Sequence, residues 1–225
     1  MDTTRNSWIL PGAIVAAGAI LAVAIYLVRS EQVFSSPRGN PETMRPISAD
    51  EHIVGNPQAP IVIVEYADLD SEYAKEFHRT LGQLMVEYGS TGQIAWVFRH
   101  FPLVNQNSNA ARHAEASECV ASLGNPSAFW KFIDLMQASA PDLERFDPAN
   151  YGTLMKQLGI PEDAFNACLA AGTHADKVAA DFEDALVAGA IASPYSIVLI
   201  EGKKPIPING SIPYAALKNI IDSAR

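Results

Sequence analysis

Residues 61–78 read Ile61-Val62-Ile63-Val64-Glu65-Tyr66-Ala67-Asp68-Leu69-Asp70-Ser71-Glu72-Tyr73-Ala74-Lys75-Glu76-Phe77-His78, and this stretch decides the fold. Its first half is an apolar, β-branched run bounded upstream by Asn56, Pro57 and Pro60, the pattern of a buried strand. Its second half begins a helix: Phe77, Leu81, Leu84, Met85 and Tyr88 recur at helical spacing, and Gly89 stands where a C-cap belongs. Asp70, Ser71 and Glu72 suit the N-terminus, because hydroxyls and carboxylates satisfy free N–H groups and complement the helix dipole. A strand that turns directly into a helix sets Ser71 where open α/β sheets usually hold a ligand or a reacting group.

The run Val64-Glu65-Tyr66-Ala67-Asp68, followed by Lys75-Glu76-Phe77-His78, resembles the DsbA-like branch of the thioredoxin superfamily. In that branch a Cys-x-x-Cys pair separates the two halves, and the matching positions here are Ser71, Glu72, Tyr73 and Ala74. Thiol–disulfide exchange needs an attacking thiolate and a second, resolving sulfur. A serine and an alanine supply neither. The resemblance extends to Asp50-Glu51-His52-Ile53 and Gly55-Asn56-Pro57, similar to the family's lead-in, and to Ala192-Ser193-Pro194-Tyr195, similar to its cis-proline loop. It implies a cis bond before Pro194, a proline facing positions 71–74, and neighbouring backbone that pairs with an extended peptide.

Toward the N-terminus, residues 8–28 are 21 consecutive residues without a charge. As a helix they would span about 31 Å, matching a hydrocarbon core of about 30 Å. No clear small-x-small cleavage pattern follows before Arg29-Ser30-Glu31, which favours an uncleaved anchor in the lipid bilayer over a cleaved signal peptide. Arg5 on one side and Arg29, Arg38 and Arg45 on the other form a weak bias against export of the C-terminal part. Resemblance to an exported family outweighs that bias. The expected organisation is a cytoplasmic tail at 1–7, a transmembrane anchor at 8–28, a Pro- and Gly-rich linker at 29–46 and an extracytoplasmic domain at 47–225.

Toward the C-terminus, residues 93–98 make a second strand closed by Arg99-His100-Phe101-Pro102, completing a βαβ unit. Over 107–172 the period turns helical, with segments at 109–123, from Pro126, from Asp147-Pro148 and from Pro161. A further helix covers 173–188, strands follow at 195–200 and 205–208 around Glu201-Gly202-Lys203-Lys204, and a helix at 211–221 closes the chain. The resemblance implies that the helical block is inserted between the halves of a thioredoxin-like sheet. The expected fold is therefore α/β, thioredoxin-like with an inserted helical block, behind one transmembrane helix.

A formal charge of -9 with no basic stripe argues against a nucleic-acid partner, and 48% hydrophobic with 18% charged residues marks a folded chain. Ser71 lacks a Gly-x-Ser-x-Gly elbow and an identifiable base, so an N-cap is its expected role. Asp68, Asp70, Glu72 and Glu76 read as dipole complements. The five histidines, at 52, 78, 100, 113 and 174, show no metal-ligand spacing, so neither metal nor cofactor is expected, and His100 reads as a packing residue. Cys119 and Cys168, the only cysteines, fall on two helices of the block. Similar Glu-Cys and Ala-Cys-Leu contexts in the family, together with export, imply a structural disulfide between them.

The expected function is a non-catalytic or chaperone-like module, with the redox motif lost, that binds an extended peptide or exported protein through Ser71, Glu72, Tyr73, Ala74, Ser193, Pro194 and Tyr195. The alternative is a thiol-disulfide oxidoreductase working through Cys119 and Cys168.

Overall fold

Strand β2, Ile61–Ala67, is buried on both faces and apolar except for Glu65. It occupies the centre of a five-stranded sheet in the order β1-β3-β2-β4-β5, with β1 at His52–Gly55, β3 at Ile94–His100, β4 at Tyr195–Ile200 and β5 at Ile206–Asn209. The structure is a computed structural model describing residues 39–140 and 145–224. The expected membrane anchor at 8–28 lies outside these residues, and among the described ones no helix is long and apolar enough to cross a membrane.

Strand β3 runs parallel to β2, and the remaining pairings are antiparallel. Parallel neighbours need a crossover, which is helix α1, Glu72–Tyr88. Alternation along the strands then sorts the core. Ile61 and Ile63 point to one face, where they meet Phe77, Leu81 and Leu84 of α1 and Leu217 and Ile221 of the last helix. Val64 and Tyr66 point to the other face, against Tyr195, Ile197, Ala185 and Ala188.

Four helices, α2 at Ala110–Leu123, α3 at Pro126–Ser139, α4 at Tyr151–Leu158 and α5 at Glu162–Ala170, form the inserted block. Phe129, Phe132, Ile133, Met136, Leu154, Met155 and Phe165 give the block a core of its own, joined to the sheet at Phe98. Asn125 starts α3 by accepting hydrogen bonds from the Ser127 and Ala128 amides. Helix α6, Ala175–Ala188, leads back to β4, and α7, Tyr214–Asp222, ends the fold. Cys119 and Cys168 are disulfide-bonded across α2 and α5, with Cα atoms 6.0 Å apart and a sequence separation of 49. In the chain-entropy model a loop of that size contributes about 4 kcal/mol.

Two features depart from the reading of the sequence. The lead-in contains an edge strand, β1, in which Ile53 and Val54 pair with Val97 and Trp96. Strand β3 also continues through Arg99 and His100, which pair with Tyr66 and Ala67. Upstream, the stretch 39–46 lies against α6: the Asn40 amide donates to Val187 O at 2.9 Å. A Cβ on Gly39 would fall 1.9 Å from that oxygen, so only glycine permits the approach.

Arg99 is fully buried and its guanidinium joins these parts. Nη2 reaches Glu51 Oε1 at 2.7 Å and the carbonyls of Arg45 and Pro46 at 3.1 and 3.3 Å. Nη1 reaches Asp184 Oδ2 at 2.7 Å and the Tyr66 hydroxyl at 3.0 Å. Burial opposes the charge, yet the hydrogen bonds to Glu51 and Tyr66 hold the Arg99 pKa above its ordinary value. Replacing Arg99 with Met would strand Glu51 and Asp184, so urea unfolding should show a loss of about 3–5 kcal/mol. A loss below about 1 kcal/mol, the range of exposed pairs, would show that these contacts do not hold the fold.

Candidate functional site

Where β2 ends, the chain turns through 68–71 into α1, and buried polar contacts fix that turn. The Ser71 amide donates to Asp68 O at 3.1 Å. The Asp68 carboxylate accepts from the Asp70 amide at 2.9 Å and from the Leu103 amide at 2.8 Å. Burial raises the Asp68 pKa against these two hydrogen bonds, which lower it. Asp70 accepts from Asn107 Nδ2 and from the Phe146 amide at 3.3 Å, and its Oδ2 stands 3.0 Å from His113 Nε2. His113 Nδ1 in turn lies 2.5 Å from the Tyr151 hydroxyl. Asp68 and Asp70 are therefore pins for the turn rather than dipole complements. Glu72 does lie in the first turn, where it pairs with Lys75 at 3.2 Å, and Glu76 is exposed.

Ser71 caps α1, its Oγ accepting from the Ala74 amide at 3.3 Å and donating to Ser193 O at 3.2 Å. The Ser193 hydroxyl accepts from the Asp68 amide at 2.7 Å. The Ser193–Pro194 bond is cis, and Pro194 O accepts from the Gly210 amide at 2.9 Å. Two loops more than a hundred residues apart are thus bonded to each other at positions 71 and 193. Ala74 is buried, as are Ser193 and Pro194. Tyr73 is 67% exposed and Ile191, just before the cis-proline loop, is 58% exposed. Tyr195 points inward, its hydroxyl donating to Ala188 O at 2.8 Å. A cleft of about 220 Å³ opens beside the cap, lined by Asp68, Asp70, Ser71, Glu72 and Tyr73 with Arg145 across it.

Glu65 was legible in sequence only as one acid inside an apolar strand, and the structure gives it a distinct environment. It is fully buried, Oε2 accepts from Trp96 Nε1 at 3.0 Å, and Oε1 has no hydrogen-bond partner among the described residues. Ser196, directly opposite in β4, also has a buried hydroxyl oxygen without one among the described residues. Burial pushes the Glu65 carboxyl up to about 8, with the Trp96 N–H pulling the other way. At neutral pH it is mostly protonated.

Three histidines, His52, His78 and His100, pair with carboxylates within the packed fold. His52 and His100 both meet Glu118 Oε1, at 2.8 and 3.0 Å. Burial opposes the Glu118 charge, but the hydrogen bonds with His100 and His52 hold it well below the usual carboxylate range. His78 lies 3.1 Å from Asp134 and edge-on to Trp96, beside a larger cavity of about 800 Å³ walled by Trp96 and Trp130, apart from the 71–74 cleft.

The sequence matches the thioredoxin family over residues 48–223. The fold is similar to the crystal structure of Wolbachia pipientis alpha-DsbA1, with a TM-score of 0.68 and 24% sequence identity, covering 82% of this chain and 95% of that one. It is also similar to oxidised BdbD from Bacillus subtilis, with a TM-score of 0.67 and 20% identity over 83% of this chain and 95% of that one. A protein named Na(+)/H(+) antiporter NhaA 3, from Salinispora tropica, is 29% identical over 199 residues, or 88% of this chain. The chain spans 29% of that relative's length.

The environment of Glu65 sets a pH dependence whose sign is fixed. Its folded pKa of about 8 lies above the ordinary 4.5, so the folded chain keeps a proton that the unfolded chain releases between those values. The stabilisation is complete below about pH 4.5 and is lost as pH rises through 8, a change on the order of 5 kcal/mol. Glu65→Gln keeps an acceptor for Trp96 and removes the titration. Its stability relative to the wild type should therefore climb between pH 5 and pH 9 in urea unfolding. A constant difference across that interval would mean that Glu65 stays ionised in the fold.

Proposed function

This chain belongs to the thioredoxin family and has the DsbA-like form of its fold, and on that premise we propose that it is a peptide- or protein-binding module without a redox centre. The observation that carries this reading is the state of Ser71. It stands against the cis-proline loop with its hydroxyl engaged by the Ala74 amide and Ser193 O, while the second position of the pair is the buried methyl of Ala74. No sulfur is available there to attack or resolve a disulfide. The chain's only two cysteines are bonded to each other across α2 and α5.

An exposed aromatic ring beside a fixed loop suits capture of an extended segment, with Tyr73 and Ile191 giving apolar contact and loop backbone giving direction. We place the domain outside the cytoplasm, anchored through residues 8–28. The charge-free stretch and the disulfide support that placement. One observation favours the second reading, an oxidoreductase working through Cys119 and Cys168: Cys168 is only half-buried, so a thiolate could reach its sulfur.

Two measurements separate the readings. A photoreactive residue at Tyr73 should crosslink a protein in cells, while one at Val86, 86% exposed on the same helix, should not. The wild type should fail to reduce insulin or to oxidise a dithiol peptide. Ser71→Cys with Ala74→Cys should do at least one of these, because a thiolate at a helix start is stabilised by free N–H groups. Nearby Asp68 and Asp70 should make that variant a weak oxidant by raising the thiol pKa. Activity in the wild type that Cys119→Ser abolishes would establish the second reading. A folded but inert double variant would show that these positions do not form the site.

A further inference from the structure

We propose that reduction of the Cys119–Cys168 bond opens a zinc site that His174 completes. The two sulfurs and one ring nitrogen of His174 all lie within 4.8 Å of one another. They come from three places that packing already fixes: Cys119 from the buried face of α2, Cys168 from the last turn of α5, and His174 from the N-cap position just before α6. His174 is also held in place, since its Nε2 lies 3.1 Å from Ser122 Oγ. Outer partners of this kind orient a metal-bound imidazole. Spacing along the sequence conceals the set, because the two cysteines have a sequence separation of 49.

Zinc–thiolate bonds of about 2.3 Å and a zinc–imidazole bond of about 2.0 Å put tetrahedral ligand atoms roughly 3.5–4 Å apart. With Cα atoms 6.0 Å apart, the cysteines can open to that spacing by side-chain rotation once the bond is broken. Cys119 is buried whereas Cys168 and His174 are half-buried, which leaves one side open for water as a fourth ligand. Two thiolates and an imidazole suit Zn²⁺.

The step balances with a dithiol as reductant. One of its thiolates attacks the Cys168 sulfur, Cys119 leaves as thiolate, and the second thiol of the reductant closes its own disulfide and releases Cys168. Two electrons pass to the protein and both sulfurs take up protons. Zn²⁺ then displaces one proton from each thiol. The metal restores the tie between α2 and α5 that reduction removes.

The test uses the full chain in mild detergent, reduced with a phosphine that is then removed, and titrated with Zn²⁺ against a chromophoric chelator. The reduced chain should take up one Zn²⁺ and the oxidised chain none. Co²⁺ should give a thiolate charge-transfer band with tetrahedral d–d bands, and Zn²⁺ should raise the Tm of the reduced chain alone. His174→Ala should weaken Zn²⁺ binding by about tenfold or more. The proposal is overturned if the reduced chain takes up no Zn²⁺ or stays unfolded with Zn²⁺ present. It is equally overturned if His174→Ala, or Cys119→Ser with Cys168→Ser, binds as tightly as the wild type.

Discussion

A guanidinium shut away from water must find an acceptor for each of its N–H groups, and Arg99 finds them on three separate parts of the chain. Its partners are Glu51 and the carbonyls of Arg45 and Pro46 in the lead-in, Tyr66 on β2 and Asp184 on α6. None of these can shift alone. Asp184 also accepts from the Arg45 amide and the Tyr66 hydroxyl, so loosening one bond exposes several groups to an unpaired state. The cluster continues from Arg45 to Asp181, which accepts from the His100 amide and meets Lys177, and from Lys177 to Glu118 with its two histidines. Lead-in, sheet, α2 and α6 are locked by one connected set of charges.

Tyr66 is the last residue but one of β2, so what holds it also sets where the following turn begins. Beyond it, Asp68 and Asp70 bind amides from two other loops, and Ser71 binds the cis-proline loop. Each contact removes a degree of freedom, so the turn and the cis-proline loop are fixed relative to each other. The turn, the cap at Ser71 and the cis-proline loop are thus held together by groups that are not themselves redox-active.

The parts of this arrangement visible in the sequence are those with local causes. Strand β2 showed itself by its β-branched run, and the cap at Ser71 by residue type and position at a helix start. The cis bond at Pro194 and the Cys119–Cys168 bond followed from family resemblance, since nothing in their immediate neighbours demands either. Strand β1 was hidden because four residues between prolines and glycines carry too short a pattern, and only pairing with β3 makes it a strand. Arg99 looked like the end of a strand because its partners lie 33 to 85 residues away. Glu65 drew no separate reading within that run, and only burial on the covered sheet shows that its charge is suppressed.

Strand β5 ends the sheet, and Pro207 lies within it opposite Ile197. A proline within an edge strand is confined to a place where its missing donor would have faced outward. The outer rim of β5 therefore lacks one of the amides that an incoming strand would need to extend the ladder. Concentrating many copies of this domain on one surface would then not lead readily to polymerisation through that rim, because the sheet terminates chemically as well as geometrically.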